Sequence, residues 1–195
     1  FKRWFGENGV RNEDGQPQIF YHGGGADFTG IRSGGRFGGA IFVREGKESG
    51  YGKKQHALYL NSAILELDDM RDQLSERPEI LEKALGHGLD EDVSEQVIEA
   101  LTDGSHYPET QEVWEAIGAI DESDAQAEIQ RLRGQVARAL GFKAVRTPDE
   151  FDGETVMVLD PSAIKSATGN NGNNGNFDPA NPDITNFAAN PARRP

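Results

Sequence analysis

Short apolar runs rich in aromatic and β-branched residues stand towards both ends of this 195-residue chain. They cover residues 18–22, 40–43 and 56–60, and again 142–146 and 155–159. Runs of this length and composition predict β-strands. Eleven of the 24 glycines lie between Gly23 and Gly52, a density typical of backbone that turns tightly or approaches a ligand closely. With only 35% hydrophobic residues, the chain is expected to have a modest core and many loops.

The middle of the chain, from Asn61 to about Leu140, changes to a helical period. Apolar residues recur at helical spacing in segments 80–85, 93–101 and 129–140, with acidic residues on the opposite face. Carboxylates at residues 90–92 favour a helix start there, because they interact well with the positive end of the helix dipole. Another helix is predicted over Asp124–Leu140, with Gly141 as its stop.

The last part of the chain has too few apolar residues to build a core. Residues 169–176 consist of Gly and Asn alone, and four prolines follow in the last seventeen residues. Residues 168–195 therefore predict a low-complexity linker or tail. Since the chain opens on Phe1 and not on Met, we expect it to be a piece of a longer polypeptide with neighbouring domains.

The charge is large, negative and unevenly distributed. Twenty basic and 33 acidic residues give a formal net charge of −13, which argues against a general nucleic-acid clamp. Residues 61–128, however, hold 20 acidic residues against 3 basic ones, and the rest of the chain holds 13 against 17. The argument against nucleic acid is therefore weaker for the flanking segments, whose slight positive charge suits a diphosphate. The acidic helices are typical of a solvated lid or of a docking face for a basic partner.

Several other function classes lack their sequence signals. The absence of Cys excludes disulfides, thiolate metal sites and thiol nucleophiles. The histidines show no metal-ligand spacing, and the Gly-rich segments contain neither a phosphate loop nor a dinucleotide fingerprint. No apolar run approaches the length of a membrane span and no secretory leader opens the chain. We therefore expect a protein without a metal or a membrane, located in the cytoplasm.

A few residues in the strand-forming ends are candidates for a functional site. Each has an ordinary structural explanation when taken singly, since a His at a strand end packs or faces solvent and a Glu beside a Val-rich strand is an edge charge. The candidates are Tyr21, His22 and Gly23 at the end of a strand, Phe42 in a Gly-rich strand, Tyr51 nine residues later, and Glu154 before a late strand.

In this order the candidates resemble the His-Tyr-Glu branch of the ADP-ribosyltransferase fold, which poly-ADP-ribose polymerases and diphtheria-like toxins share. The resemblance is closer to the transferase domain of polyvalent proteins in phages and mobile elements, and it covers roughly residues 1–60 and 141–185. The segments that carry it are Phe1-Lys-Arg-Trp-Phe-Gly6, Tyr21-His-Gly-Gly24, Gly39-Ala-Ile-Phe-Val43, Ser49-Gly-Tyr51 and Glu154-Thr-Val-Met-Val-Leu-Asp-Pro-Ser-Ala-Ile-Lys-Ser-Ala-Thr-Gly-Asn170. The closing run is the most specific of them.

The resemblance implies NAD as co-substrate and a role for each matched residue. Cleaving the nicotinamide–ribose bond requires a held amide, a stacked ring and a stabilised oxocarbenium-like ribose. His22 would hold a ribose of NAD and Gly23 the nicotinamide carboxamide, while Phe42 and Tyr51 would stack the ring. Glu154 would bond the ribose 2′-OH and help to deprotonate the acceptor. The implied catalytic residues are Glu154, His22 and Tyr51, and the implied NAD-binding residues are Tyr21, His22, Gly23, Phe42, Tyr51 and Arg36.

Some positions depart from the family pattern. Phe42 stands where the branch has Tyr, which keeps a ring but removes a hydroxyl, and Gly24 replaces the usual Thr or Ser. Asp152 and Glu154 are reminiscent of toxins that modify Arg or Asn, but those carry Arg in place of His22, so Asp152 is interpreted as a loop residue. The cations around the glycines are candidates for the diphosphate or ordinary surface charges, namely Arg32, Arg36, Arg44, Lys47 and Lys53.

Together these observations predict an α+β fold in which two small packed antiparallel sheets form an NAD cleft. Residues 1–60 and 141–167 would form the transferase core, and residues 61–140 an acidic helical insertion. The predicted function is NAD-dependent mono-ADP-ribosyl transfer to a macromolecular acceptor, protein in preference to nucleic acid, with release of nicotinamide. Two alternatives stay open: NAD hydrolysis without an acceptor, as in a depletion toxin, and a catalytically silent docking module of a virion-associated polyprotein.

Overall fold

The computed structural model describes residues 2–24, 37, 39–46, 54–103, 110–148 and 153–168. Its strands are β1 (Ile19–Gly24), β2 (Ile41–Val43), β3 (Lys54–Leu60), β4 (Ala144–Pro148), β5 (Glu154–Val158) and β6 (Ile164–Ser166). Its helices are α1 (Lys2–Phe5), α2 (Leu67–Glu76), α3 (Glu79–Leu85), α4 (Glu91–Thr102), α5 (Gln111–Ile117) and α6 (Glu122–Ala139). A 3-10 turn at Pro161–Ala163 precedes β6.

The strands form two antiparallel sheets of three strands each. The first sheet has the order β1-β3-β6 and the second the order β2-β5-β4, so each contains strands from both ends of the chain. The α+β class with two small antiparallel sheets, predicted from the sequence, is confirmed. The same sequence reasoning missed β6, which is only three residues long and follows Pro161 closely.

A hydrophobic core lies between the two sheets. The inward residues alternate along each strand as the pleat requires, and the register of the second sheet pairs Ile41 with Val158 and Val43 with Val156. The buried residues of this core are Phe20, Ile41, Val43, Leu58, Leu60, Ala144, Val156, Val158, Ala163 and Ile164. We call this side of the second sheet the inter-sheet face.

The opposite face of the second sheet packs against the helices. Val145, Met157 and Leu159 belong to one buried cluster with residues of all five helices between residues 67 and 139, among them Leu74, Leu81, Leu101, Val113 and Ile129. The helical region therefore shares a core with β4 and β5. Its description as an insertion into a transferase core stays a prediction.

Two helices of the middle region begin and end where the sequence predicts. Helix α4 starts directly after Asp90, and α6 ends just before Gly141, whose φ of +87° is the left-handed backbone that favours glycine. Helices α2 and α5 lie within the region predicted to be helical, but neither was predicted as a separate element. None of the helices in the described ranges combines the length and apolar character needed to cross a membrane.

A buried arginine ties the helices to the second sheet. Arg133 of α6 is fully buried, and its guanidinium donates to the carbonyl oxygens of Leu101 at 2.6 Å and Ala100 at 3.0 Å, at the C-terminal end of α4. It also donates to Thr147 Oγ1 of β4 at 3.3 Å. Burial lowers the pKa of Arg133 to about 10, against the opposing charge of Asp103, so the group stays protonated at neutral pH. A cation at these carbonyls interacts favourably with the helix dipole.

Gly134 of α6 lies close to side chains of the second sheet and of the residue that follows β5. A Cβ built at this position lies 3.1 Å from Leu159 Cδ2 and 3.5 Å from Met157 Cε. We expect Gly134→Val to lower the free energy of unfolding by about 1–3 kcal/mol, because extra methyl groups overpack this contact. Urea unfolding would measure the change. Ala139→Val, at an exposed position of the same helix, is the matched control, and an equal loss in both variants would contradict the packing argument.

Candidate active site

The two sheets meet at one backbone bridge between β1 and the end of β2. Tyr21 N donates to Arg44 O at 2.7 Å, and Arg44 N donates to Tyr21 O at 2.9 Å. Along its length β1 is paired with β3, and the Tyr21–Arg44 bridge to the second sheet is isolated. The bridge therefore marks the junction at which β1 meets β2.

His22 lies beside this junction, on β1. Its Nδ1 lies 2.9 Å from the carbonyl oxygen of Phe42, and because a carbonyl only accepts, Nδ1 carries the proton of this bond. Burial lowers the pKa of His22, the Phe42 bond opposes this, and nearby His56 lowers it further. His22 is therefore neutral at pH 7, and its Nε2 presents a hydrogen-bond acceptor.

The backbone of Gly23 lies next to the same junction. In a strand the N–H and C=O groups alternate between the two edges, so those of Gly23 are directed towards the edge that Tyr21 uses to bond Arg44. The register pairs His22 with His56 of β3 on the other edge. Gly23 thus directs a donor and an acceptor, side by side, towards the edge of β1 that meets the second sheet.

Glu154 begins β5 on the inter-sheet face, as its alternation with Val156 and Val158 requires. Its side chain is 68% exposed, and its Oε2 lies 3.5 Å from a terminal nitrogen of Arg146. The Arg146 Nε donates to Glu66 Oε2 at 2.7 Å, and its NH1 lies 3.8 Å from Glu45 Oε1. Glu154 is therefore a solvent-accessible carboxylate beside a cation that is itself held by a second carboxylate.

Two cavities of about 340 Å³ each adjoin Glu154 and share Arg146 in their walls. One also contacts residues 43–46, at the end of β2, and the other contacts Glu66, Asp68 and Asp103 on the helical side. The carboxylate thus stands between a cavity near the sheet junction and a cavity rimmed by the acidic helices.

The side chains of Phe42 and Tyr21 lie on the strand faces that point away from the core between the sheets. The register pairs Phe42 with Met157, so the Phe42 ring lies on the helix-facing side of the sheet, where it packs against the helical core and edge-on to Phe37 at 5.2 Å between ring centroids. By the same alternation the Tyr21 side chain lies on the face of β1 opposite His22. Stacking of a ligand ring by Phe42 stays a prediction, and the register argues against it.

Strand β1 meets β2 at the junction, and β2 pairs with β5. These contacts bring His22, Gly23, the Phe42 carbonyl and the strand that carries Glu154 near one another. Predicted site residues Tyr51 and Arg36 lie outside the described residues, as do Asp152, Arg32, Lys47 and Lys53. Within the described ranges, no group of three or more His, Asp or Glu side chains is arranged to hold a metal ion.

Sequence reasoning missed Arg146, Glu66 and Glu45. Arg146 follows an Ala-Val pair in a predicted strand and has the pattern of an edge cation, while Glu66 is one acidic residue among many. The available signal was alternation: Ala144 and Arg146 share a strand face, as do Glu154, Val156 and Val158, so antiparallel pairing places an arginine near the glutamate.

The neutral state of His22 predicts a dependence of stability on pH. Because the pKa of His22 lies below its ordinary value of 6.5 in the folded chain, the unfolded chain binds the proton first as the pH falls. The contribution of neutral His22 to the free energy of unfolding is present above pH 6.5. It is lost as the pH falls from 6.5 towards the lowered pKa. His22→Gln is expected to flatten the decrease of the urea midpoint between pH 7 and pH 5. His87→Gln, on the helical side, serves as control, and an unchanged slope in His22→Gln would contradict the prediction.

The chain is similar to a known protein family and to a solved structure. Residues 26–166 match the family described as "Anti-CRISPR Type I-F ADP-ribosyltransferase AcrIF11", a span that includes the helical region. A solved structure described as "Crystal structure of an anti-CRISPR protein" is similar with a TM-score of 0.57 and 23% identity, over 83% of this chain and 99% of that one, which supports the fold. A comparison with curated proteins finds no match. The family match covers well over half of the length of the chain. The chain therefore belongs to the family of anti-CRISPR type I-F ADP-ribosyltransferases.

Proposed function

We propose that this protein transfers one ADP-ribosyl group from NAD to a protein of the type I-F CRISPR machinery and releases nicotinamide. The family supplies the reaction class and the anti-CRISPR context. The observation that carries the proposal is the accessible Glu154 carboxylate on the inter-sheet face, one strand away from the junction that holds His22. The family describes anti-CRISPR proteins, whereas the sequence resemblance pointed to polyvalent proteins.

His22 is suited to hold a ribose of NAD. The bond to the Phe42 carbonyl orients the imidazole and fixes the proton on Nδ1. The neutral Nε2 then accepts a hydrogen bond from a ribose hydroxyl. A protonated imidazole would instead present a donor, so the lowered pKa keeps the accepting form at neutral pH.

Gly23 is suited to hold the nicotinamide carboxamide. An amide group offers an acceptor and a donor, which match the N–H and C=O that Gly23 directs towards the edge of β1 that Tyr21 uses to bond Arg44. A glycine also leaves room for close approach of a ligand to the backbone. We assign ring stacking to Tyr51 and contact with the diphosphate to Arg36, in line with the sequence prediction.

Glu154 acts where charge develops. As the bond between C1′ of the ribose and the nicotinamide nitrogen breaks, its electron pair leaves with nicotinamide and the ribose becomes positively charged. A carboxylate beside the ribose 2′-OH stabilises that charge. The acceptor nucleophile then bonds to C1′ and gives up a proton, which Glu154 helps to remove. The products are the ADP-ribosylated acceptor, nicotinamide and one proton.

The principal test measures nicotinamide release from NAD by wild type and by Glu154→Gln. We expect the variant to lose about 100-fold or more in rate, as when one group that stabilises transition-state charge is removed. Glu95→Gln, an exposed carboxylate on α4, is the matched control and should keep the wild-type rate. Release that is undetectable in the wild type and unchanged in Glu154→Gln would show that the protein is a docking module and not an enzyme.

The acceptor is tested with labelled NAD. Incubation with purified type I-F CRISPR proteins should give a label that survives nuclease and is lost with protease. Labelled free ADP-ribose without an adduct would favour NAD hydrolysis, and a label lost with nuclease would favour a nucleic-acid acceptor.

The variant Phe42→Leu tests whether the Phe42 ring stacks on NAD or only packs against the helical core. Because the ring lies on the helix-facing side, we expect the KM for NAD to stay within about twofold of wild type, while the free energy of unfolding falls by about 1 kcal/mol. Phe142→Leu, which packs against the same core, is the matched control. A KM that rises about tenfold in Phe42→Leu alone would restore the stacking role.

A further inference from the structure

Arg146 on β4 is surrounded by three carboxylates that come from three different parts of the chain. Its Nε donates to Glu66 at 2.7 Å, and its NH1 lies 3.5 Å from Glu154 and 3.8 Å from Glu45. The Arg146 side chain is only 21% exposed, whereas the Glu154 side chain is 68% exposed. Burial alone would lower the pKa of Arg146, but Glu66 above all, with Glu154 and Glu45, raises it, so its charge is firmly held.

Two carboxylates near the end of the β2–β5 pairing explain why a cation is needed at this place. The pairing ends at Val43 and Val156, and two residues beyond each of them stand Glu45 and Glu154. Both carboxylates approach the NH1 of Arg146, and like charges held this near one another repel. The NH1 of Arg146 is close to both carboxylates and offsets that repulsion.

We propose that Arg146 is a positioning residue, which holds the Glu154 carboxylate against the repulsion of Glu45 and is itself anchored by Glu66. The inference rests on the proposed role of Glu154. Glu66 precedes α2 directly, and the neighbouring Leu65 exchanges backbone bonds with β4 through Ala144 O and Arg146 N. The anchor therefore belongs to the helical region, which makes the position of the proposed catalytic carboxylate depend on that region.

The anchor also preserves the charge that the reaction requires. An arginine paired with Glu154 alone would neutralise it and weaken its effect on a developing positive ribose. Here Glu66 makes the shortest contact with Arg146, so the positive charge of Arg146 is shared among carboxylates and is not devoted to Glu154. Glu154 is thus held beside a cation whose principal partner is another carboxylate.

The kinetic test compares Arg146→Met, Arg146→Lys and the double variant Arg146→Met/Glu45→Gln by nicotinamide release. Arg146→Met should lower kcat roughly tenfold with little change in KM for NAD, since slight misplacement of a reacting group acts mainly on the chemical step. Arg146→Lys should retain part of the rate, because it keeps the charge but loses the fork that spans Glu66 and Glu154. Arg131→Met, which removes an arginine paired with Glu128 on α6, is the matched control.

The double variant, which also removes the repelling carboxylate of Glu45, is the decisive comparison. If Arg146 acts by offsetting Glu45, the change Glu45→Gln should recover part of the kcat that Arg146→Met loses. A purely structural role of Arg146 predicts no recovery. Equal kcat in Arg146→Met and wild type, or a double variant no faster than Arg146→Met, would overturn the proposal.

A second measurement keeps this inference separate from the proposed function. Urea midpoints of Arg146→Met, Glu154→Gln and their double variant report whether the two side chains interact, whether or not the protein turns over NAD. We expect the shift in the double variant to differ from the sum of the single shifts. Additive shifts would show that Arg146 does not hold Glu154, even in an active enzyme, whereas non-additive shifts with an inactive wild type would reject only the proposed function.

Discussion

The structure depends on β5, a central strand that is paired on both edges and buried on both faces. Val156 and Val158 pack into the core between the sheets, while Met157 and Leu159 pack into the helical core. A strand with two buried faces has a strongly specified register, because a slip of one residue would exchange the two sets of side chains. Glu154 begins this strand where its burial ends. The best-fixed part of the sheet therefore presents the carboxylate that we propose to be catalytic.

The helical region serves this arrangement in two ways. Its apolar faces cover the outer side of β4 and β5, and Arg133 joins the end of α4 to Thr147 of β4 through buried hydrogen bonds. Its first residues supply Glu66, which anchors Arg146 beside Glu154. Glu66 is therefore an acidic residue of the strongly negative segment 61–128 that makes a specific contact at the site. The other carboxylates around the neighbouring cavity, Asp68 and Asp103, extend the acidic rim on that side.

Local sequence signals predicted much of the fold. Strands β1 to β5 lie within two residues of their predicted bounds, since short runs of β-branched and aromatic residues between glycines specify them. Helix α4 starts at its predicted acidic cap and α6 ends before Gly141. Strand β6, with three residues, was missed, and α2 and α5 were not predicted as separate elements of the helical region. Within the candidate site, the sequence predicts that His22 and Gly23 lie together, because both stand near the end of β1.

Local patterns along the chain are enough to predict the α+β class, the strand-forming ends and the acidic helical middle, and the motifs predict the reaction class that the family match bears out. The face that each side chain occupies follows only from the packing of the sheets and helices, because alternation along a strand gives two sets of residues but not the side each set takes. For this reason the Phe42 ring proved to lie on the helix-facing side although its carbonyl holds His22. Likewise, Arg146, Glu66 and Glu154 are up to 88 positions apart in the sequence, and only the pairing of β4 with β5 and with the segment before α2 brings their charges together.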